Sequence, residues 1–453
     1  MSDFGTPDSD DFRAYREALD SLPDAPTPEY PPAERRERPD PHDAYVTTFE
    51  ATSADGPLSD LRVGVKDNVA VAGVPLTVGS DSVSYVPDRD ATVVTRLRDA
   101  GATLTGKTNC DCLALGTTSE LSEHGPTENP AAPDRVPGGS SGGSAAVVAA
   151  GDCDAAIGTD TGGSVRIPAA YCGVVGVKPT YGVVSRAGVV DCAPSMDHVG
   201  VLARDVATSR RALREIGGSD AADALPSAPD FGAVGGRVEE PVVGVVEEAF
   251  AAADDAVADR VRTALEAFAD AADGEVRTVS VPTHDDAVRV NDALTLVELA
   301  ATLDGGAVPG HRSVTPELRA SLEEFVTGGP EVPPMISDLL ALGAALLDGE
   351  GDAYGRAWRA RERLVADLSA AFEGVDLLAT PTCVSPPPAF GAVTTLADVY
   401  DTLRNTCPAN LSGHPAVSLP CGTVEGGPVG LQLLAPRGAD GFLLDAAATD
   451  EDV

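Results

Sequence analysis

The sequence predicts an α/β protein in which helices cover a β-sheet, built as a single domain. Short apolar runs of strand length alternate with helical patterns from about residue 60 to 205, an order typical of α/β folds. The 453 residues contain neither an internal repeat nor a long linker, which favours one domain. Alanine, valine and glycine supply most of the apolar residues, so we expect a core of small aliphatic side chains.

The first part of the chain begins with an acidic, proline-rich arm over residues 1–45, with one short helical pattern at 12–22. We expect this arm to wrap the surface or to be partly disordered, and the domain to span 46–453. Within 60–205, periodicity predicts strands over 61–65 and 102–105 and helices over 92–100 and 144–150.

The second part of the chain is richer in helical patterns. A loop is predicted over 215–238, followed by a strand over 242–246, a helix over 251–272, a strand over 276–281 and several helices over 285–373. A last strand pattern over 376–382 leads into a proline-rich loop and the final stretch, 416–434.

Charge is the compositional extreme of this chain. Asp and Glu number 71 against 32 Lys and Arg, a net charge of -39, which argues against nucleic acid or an anionic membrane as a partner. The pattern is typical of a surface adapted to high salt, and we expect instability at low ionic strength. Only three residues are lysines, Lys66, Lys107 and Lys178, and all lie in or near glycine-rich motifs.

Cysteine usage favours a reduced, cytoplasmic protein. The eight cysteines include no CxxC pair, and the chain starts without a signal-like segment. Cys110 and Cys112 lack a histidine partner, so we interpret them as small buried side chains and predict no metal. No apolar run is long enough to span a bilayer, and no cofactor is expected.

Two glycine-serine loops carry the strongest functional signal. PGGSSGGS at 137–144 and DTGGSVR at 160–166 lie downstream of a lysine in VKDN at 65–68. Glycine is needed where a backbone takes positive φ or approaches a ligand, and serine is a potential nucleophile. The pattern indicates a serine hydrolase that works without histidine, although two ordinary turns would also fit it.

Two other motifs compete with this interpretation. GATLTGKT at 101–108 satisfies the phosphate-binding P-loop pattern, but a helical pattern precedes it and a strand pattern follows, the reverse of what phosphate binding requires. GSSGG at 139–143 matches the nucleophile elbow of α/β-hydrolases, with His198, His284, His311 or His414 as the base. That alternative leaves Lys66 and the second loop unexplained.

Several motifs in one order resemble the amidase signature family. They are VKDN at 65–68, GKTN at 106–109, PGGSSGGSAA at 137–146, GTDTGGSVRIP at 158–168 and GVKPTYG at 176–182, with further similarity at 376–382 and 408–432. The resemblance implies one α/β domain with a large mixed sheet between layers of helices, a catalytic core over 60–205 and a variable substrate-pocket region over 215–400.

The resemblance also implies a Ser-cisSer-Lys triad. Ser164 would be the nucleophile, Ser140 a bridging serine after a cis peptide, and Lys66 the base, with a pKa lowered by burial. Ser141 is the competing bridge, but the family pattern selects the first serine of the pair. The backbone N–H groups of Thr161, Gly162, Gly163 and Ser164 would form the oxyanion hole.

Other polar residues near the loops are given structural roles. We interpret Asp160 and Arg166 as an ion pair that braces the second loop, and Lys107 and Lys178 as structural lysines. Arg404 hints at a substrate with a carboxylate, although a structural arginine fits equally well.

The family resemblance leaves three functions open, of which we favour the first. The first is a stand-alone amidase that hydrolyses a carboxamide to a carboxylate and ammonia. The second is the glutaminase component, called the A subunit, of a glutamyl-tRNA amidotransferase, but that protein carries an acidic residue about where this chain has Leu403. Asp401 could restore the acid after a small slip in the comparison. The third is an inactive scaffold, which the presence of Lys66, Ser140 and Ser164 disfavours.

Overall fold

A mixed sheet of twelve strands runs through the part of the chain that the structure, a computed structural model, describes. The described residues are 34–35, 39–53, 55–83, 85–223, 240–303, 316–328, 332–349 and 352–448, all within one compact unit, Pro31–Val453. The strands are β1 (Glu34–Arg35), β2 (Tyr45–Ala51), β3 (Arg62–Lys66), β4 (Thr103–Thr108), β5 (Ala155–Asp160), β6 (Val175–Lys178), β7 (His198–Ala203), β8 (Val242–Val246), β9 (Glu275–Val279), β10 (Leu377–Pro381), β11 (Ala416–Val424) and β12 (Gly427–Leu434).

The strand order is β1-β2-β4-β3-β5-β7-β6-β11-β12-β10-β8-β9. The β4-β3-β5 and β10-β8-β9 segments are parallel, and the remaining neighbours are antiparallel. The predicted α/β fold with a large mixed sheet is therefore confirmed.

The helices that the structure describes are α1 (Thr92–Asp99), α2 (Gly142–Ala149), α3 (Arg166–Cys172), α4 (Val206–Ile216), α5 (Glu247–Ala251), α6 (Asp255–Ala271), α7 (Ala287–Leu303), α8 (Pro316–Gly328), α9 (Pro334–Asp348), α10 (Ala353–Ala371), α11 (Leu396–Leu403), α12 (Cys407–Ser412) and α13 (Asp440–Ala447). Helices α2, α3 and α6 pack on the sheet, whereas α9, α10 and α12 pack around α7. Val, Ala and Leu dominate the buried side chains, as the composition predicts.

Most predicted elements have the expected type, with shifts of a few residues at their ends. The helix predicted over 251–272 is α6, which begins four residues later, and the short helix α5 before it was not predicted. The backbone N–H of Asp254 donates to the carbonyl of Val384 at 2.8 Å, outside any helical pattern, and α6 begins at the next residue. Most of the predicted arm and residues 224–239 of the predicted loop lie outside the described residues.

The P-loop alternative is excluded by the order of the elements. Helix α1 precedes Gly101, where φ is +88°, and residues 103–108 form β4. Lys107 is fully buried in an ion pair with Asp67, its Nζ 3.0 Å from Oδ1. This lysine cannot reach a phosphate.

The cysteine predictions can be checked over the described residues, which include every cysteine. All eight are buried and free. No group of three or more His, Cys, Asp or Glu side chains in the described ranges is arranged to hold a metal ion.

Among the described helices, none combines the length and apolar character required to cross a bilayer.

Three strands bring the candidate residues to one edge of the sheet. In β3 and β4, which are parallel, Lys66 lies opposite Thr108, and Val65 lies opposite Ile157 of β5. The carboxyl ends of parallel strands meet at the same edge, where α/β proteins place their ligand sites. The loops that follow β3 and β5 therefore meet at that edge.

Candidate active site

Lys66 ends β3 with its ammonium group inside the protein and no exposed surface. Its Nζ donates to Ser140 Oγ at 2.8 Å and to Thr159 Oγ1 at 2.9 Å, so both contacts are to neutral hydroxyl groups. Burial penalises the charged form and lowers the pKa of Lys66 below its ordinary value. The side chain is therefore suited to act as a neutral base.

Ser140 follows a cis peptide bond after Gly139 and is buried. Glycine is required at 139, because a Cβ built there would lie 2.1 Å from Asp111 Oδ2. The neighbouring Ser141 points elsewhere and donates to the carbonyl of Thr159 at 3.2 Å. Of the two serines, Ser140 is thus the one whose hydroxyl contacts Lys66.

Ser164 lies on the loop between β5 and α3 and borders a cavity. Its residual exposure is 6%, against 1% for Ser140 and 0% for Lys66, so accessibility decreases from Ser164 through Ser140 to Lys66. Ser164 Oγ makes no hydrogen bond with a residue that the structure describes. No hydrogen bond therefore joins Ser164 to Ser140, whose hydroxyl contacts Lys66.

Three consecutive carbonyl groups of this loop, those of residues 161–163, accept hydrogen bonds. The carbonyl of Thr161 accepts from Asn291 Nδ2 at 3.1 Å, and that of Gly162 accepts from Thr406 Oγ1 at 2.6 Å. The carbonyl of Gly163 accepts from the N–H of Ile167 at 2.8 Å. These bonds fix the orientation of each peptide plane.

The N–H groups of the same peptides are arranged differently. Among the described residues, no acceptor is hydrogen-bonded to the N–H of Thr161, Gly162, Gly163 or Ser164. Gly163 adopts φ +147°, and a Cβ there would lie 2.2 Å from Thr406 Oγ1, so the loop requires glycine. Fixed N–H donors beside a serine hydroxyl are the arrangement that stabilises a developing oxyanion.

Arg166 anchors the Ser164 loop with all five of its N–H donors. Its Nε and Nη2 donate to the two carboxylate oxygens of Asp160 at 3.0 and 2.8 Å. The remaining donors bind the Thr406 carbonyl, Gln432 Oε1 and Asn410 Oδ1 at 2.7 to 2.8 Å. Burial alone would raise the pKa of Asp160, but Arg166 holds it well below its usual range. The predicted bracing pair is present.

The cavity beside Ser164 measures about 260 Å³. Its wall combines Ser164 and the Thr161–Gly162 peptide with a largely apolar surface from several loops and helices. The apolar side chains include Leu115, Leu121, Met335, Leu339, Val393, Val399 and Leu403, and the carboxylates are Glu120 and Asp292.

Arg404 does not border this cavity. Its guanidinium donates to Asp285 at 3.1 Å and to Asp401 at 2.8 Å, near the surface. Leu403 lines the wall instead, with Cδ2 3.2 Å from where a Gly162 Cβ would be. The suggested contact of Arg404 with a substrate carboxylate is therefore not supported, and Asp401 does not replace an acid at Leu403.

The remaining basic candidates make structural contacts. Lys178 Nζ donates to the carbonyl of His414 at 2.6 Å, and His198 Nδ1 lies 2.6 Å from the carbonyl of Met196. None of the histidines that the structure describes borders the cavity, and His311 lies outside the described residues. The nucleophile-elbow alternative therefore has no base in the described part of the chain.

Thr159 and Asp292 are among the polar residues of the site that sequence reasoning missed. Thr159 lies inside the quoted 158–168 motif, but strand periodicity does not reveal that its hydroxyl meets Lys66. Asp292 belongs to no motif, and only the packing of α7 places it in the cavity wall.

The chain is similar to known proteins over most of its length. The family model described as Amidase matches residues 40–444. The A subunit of glutamyl-tRNA(Gln) amidotransferase from Natronomonas pharaonis is 43% identical over 425 residues, 90% of this chain and 99% of that protein. The crystal structure of the corresponding Thermotoga maritima protein has a TM-score of 0.77 at 32% identity, covering 90% of this chain and 87% of that one. A crystal structure described as amidase has a TM-score of 0.73 at 34% identity and covers 88% and 86%.

Proposed function

Because the chain belongs to the amidase family, we propose that it hydrolyses a primary carboxamide to a carboxylate and ammonia through an acyl-enzyme on Ser164. The observation that carries this proposal is the 2.8 Å contact between the buried Lys66 Nζ and Ser140 Oγ, together with the cavity that Ser164 borders. A buried amine without a carboxylate partner favours its neutral form, and a neutral amine can accept a proton.

In the first half of the reaction, Lys66 takes the proton of Ser140 while Ser140 takes the proton of Ser164. Ser164 Oγ then attacks the amide carbon, and the carbonyl oxygen becomes an anion. The proton returns from Lys66 through Ser140 to the amide nitrogen, the C–N bond breaks, and ammonia leaves. Water repeats the sequence against the acyl-enzyme, releasing the carboxylate and restoring Ser164.

The loop over 161–164 supplies the electrostatic part of catalysis in this proposal. Its N–H groups donate to the oxyanion and need no reorganisation, because the loop carbonyls are already held by Asn291, Thr406 and Ile167. Losing one such donor costs about 3 to 4 kcal/mol of barrier in serine hydrolases.

The relatives favour glutamine as the amide. The glutamyl-tRNA(Gln) amidotransferase proteins match over most of both chains, which supports a glutaminase role in which this chain hydrolyses glutamine and supplies ammonia to the other subunits. This candidate is better supported by the comparisons than the free amidase that the sequence analysis put first.

A stand-alone amidase is the second candidate, and the cavity wall favours it. Leu403 stands where the sequence comparison expects the acidic residue of the amidotransferase glutaminase, and Asp401 binds Arg404 instead. An apolar wall suits a hydrocarbon acyl group better than the zwitterionic end of glutamine.

The test is ammonia release in high KCl from glutamine and from a panel of simple amides, with the isolated chain and with the partner subunits of an amidotransferase present. Hydrolysis of glutamine only with partners supports the amidotransferase role, and hydrolysis of simple amides by the isolated chain supports the free amidase. Failure to release ammonia from any amide under either condition, in folded protein, would refute both and favour the scaffold.

The adjacent serines give a matched pair of variants for the same assay. Ser140→Ala should abolish turnover, whereas Ser141→Ala should retain at least about a tenth of it, since a single buried hydrogen bond is worth roughly 1 kcal/mol. Equal losses in both variants would contradict the assignment of Ser140.

A further inference from the structure

Asp292 is a carboxylate in the wall of the cavity that Ser164 borders. It lies on α7 directly after Asn291, whose Nδ2 holds the carbonyl of Thr161 at 3.1 Å. The same turn of helix therefore fixes both the nucleophile loop and the carboxylate. The position of Asp292 relative to a bound acyl group is set by rigid backbone, which is what a specificity residue requires.

The partner of Asp292 is neutral. Tyr400 donates its hydroxyl to Asp292 Oδ2 at 2.8 Å, and no described lysine or arginine forms an ion pair with this carboxylate. Arg289, one turn earlier on α7, lies 3.6 Å from Asp286 instead. Burial raises the pKa of Asp292, the mark of a carboxylate taken out of water without a compensating cation. A cationic ligand would supply that compensation.

The rest of the cavity wall is also acidic rather than basic. Glu120 is a second carboxylate in the wall, with Oε1 accepting from the N–H of Gly391 at 2.7 Å. No lysine or arginine is among the described residues that line the cavity. A ligand carboxylate would therefore face two acidic groups and an apolar surface, at a cost in desolvation.

We propose that Asp292 determines the specificity of this site and that the preferred carboxamides carry an ammonium group on the acyl chain. This inference rests on the proposed amide hydrolysis and names its substrate class. Glutamine satisfies it only in part, because its ammonium can meet Asp292 whereas its α-carboxylate has no described cation in the wall.

Four amides that share one butanamide chain separate these contributions. Glutamine carries both charges, 4-aminobutanamide only the ammonium, glutaramate only the carboxylate, and butanamide neither. We expect 4-aminobutanamide to exceed butanamide about ten- to a hundredfold in kcat/KM, because a charge-assisted hydrogen bond is worth roughly 1.5 to 3 kcal/mol. Glutaramate should be the poorest substrate.

The decisive variant is Asp292→Asn, which keeps an acceptor for Tyr400. It should remove the preference for 4-aminobutanamide and leave butanamide hydrolysis within about threefold of wild type. Glu120→Gln is the matched control, since it neutralises the other carboxylate, and it should retain most of the preference. Equal rates of the two amides in wild type, or an equal loss on all four in Asp292→Asn, would overturn the proposal.

Binding to the Ser164→Ala protein separates this inference from the proposed reaction. Ligands that bind the native state raise the melting temperature. We expect 4-aminobutanamide to raise it more than butanamide does, and the additional Asp292→Asn change to cancel the difference. If no amide is hydrolysed but this difference is seen, the reaction fails and the specificity site stands. An equal shift by both amides overturns the specificity site.

Discussion

Lys66 and Lys107 occupy adjacent parallel strands at the same edge of the sheet, and neither has exposed surface. They differ in what the ammonium group meets. Lys107 lies 3.0 Å from Asp67 Oδ1, whereas Lys66 has the hydroxyls of Ser140 and Thr159 at 2.8 and 2.9 Å. The two lysines are therefore equally buried, but Lys107 forms a structural ion pair whereas Lys66 is a candidate base. The nearest partner, rather than burial, decides the role.

The largest expected effect is on catalysis at Lys66. Lys66→Met should lower kcat by about a thousandfold or more, since a general base contributes roughly 10² to 10⁴. Stability should be retained, because methionine replaces a buried amine that has no carboxylate partner. Steady-state ammonia release and denaturant unfolding in high KCl would measure the two effects. If Lys66→Met retains more than a few per cent of wild-type kcat, then Lys66 is not the base.

The corresponding change at Lys107 should lower stability and leave catalysis nearly unchanged. Lys107→Met leaves Asp67 buried without its cation and should lower the free energy of unfolding by about 3 to 5 kcal/mol. Turnover per folded molecule should stay within a few-fold of wild type. Unfolding curves would measure the loss, and the double variant Lys107→Met/Asp67→Asn should recover part of it. If Lys107→Met is inactive but as stable as wild type, then Lys107 rather than Lys66 would be the candidate base.

The next largest effect is on the pH dependence of activity, which Lys66 should set and Lys107 should not. The base must be neutral, and the pKa of Lys66 is lowered from 10.5 in the folded protein. Therefore kcat/KM should fall about tenfold per pH unit below the folded pKa of Lys66 and reach a plateau before 10.5. The midpoint should be the same in Lys107→Met, and a shifted midpoint would show that the two sites are electrostatically coupled.

Salt should produce the smallest difference between the two sites. The net charge of -39 predicts a melting temperature that rises with KCl, because screening weakens repulsion among surface carboxylates. Buried groups are screened much less, so the stability gap between wild type and Lys107→Met should not change with KCl. Melting curves over a KCl series would test both statements. A melting temperature independent of KCl would refute the first.

The parts of the site formed by consecutive residues could be predicted from the sequence. Ser140, Ser164 and the 161–163 peptides lie in glycine-rich loops whose composition itself reports a special backbone. Lys66 stood out because the chain has only three lysines and because its neighbours match a family motif. Their catalytic roles remain predictions.

The cavity wall could not be predicted, because it depends on how distant helices pack. Nothing in the sequence shows that Asp292 lines the same cavity as Ser164, or that Leu403 lines the wall while Arg404 pairs with Asp285. The break between α5 and α6 has a similar origin, since the carbonyl that binds Asp254 belongs to Val384, on a remote loop.

The hydrogen bonds of Arg166 join parts of the chain that are synthesised at different times. Gln432, which accepts from Arg166 Nη1, lies 266 residues later in the chain. A ribosome therefore releases the Ser164 loop long before it has translated the strand that completes its anchorage. A growing chain therefore carries Lys66, Ser140 and Ser164 before the last contact that fixes the Ser164 loop can form. If Ser164 acts as proposed, we expect amide hydrolysis to begin only after β12 has been translated and has folded.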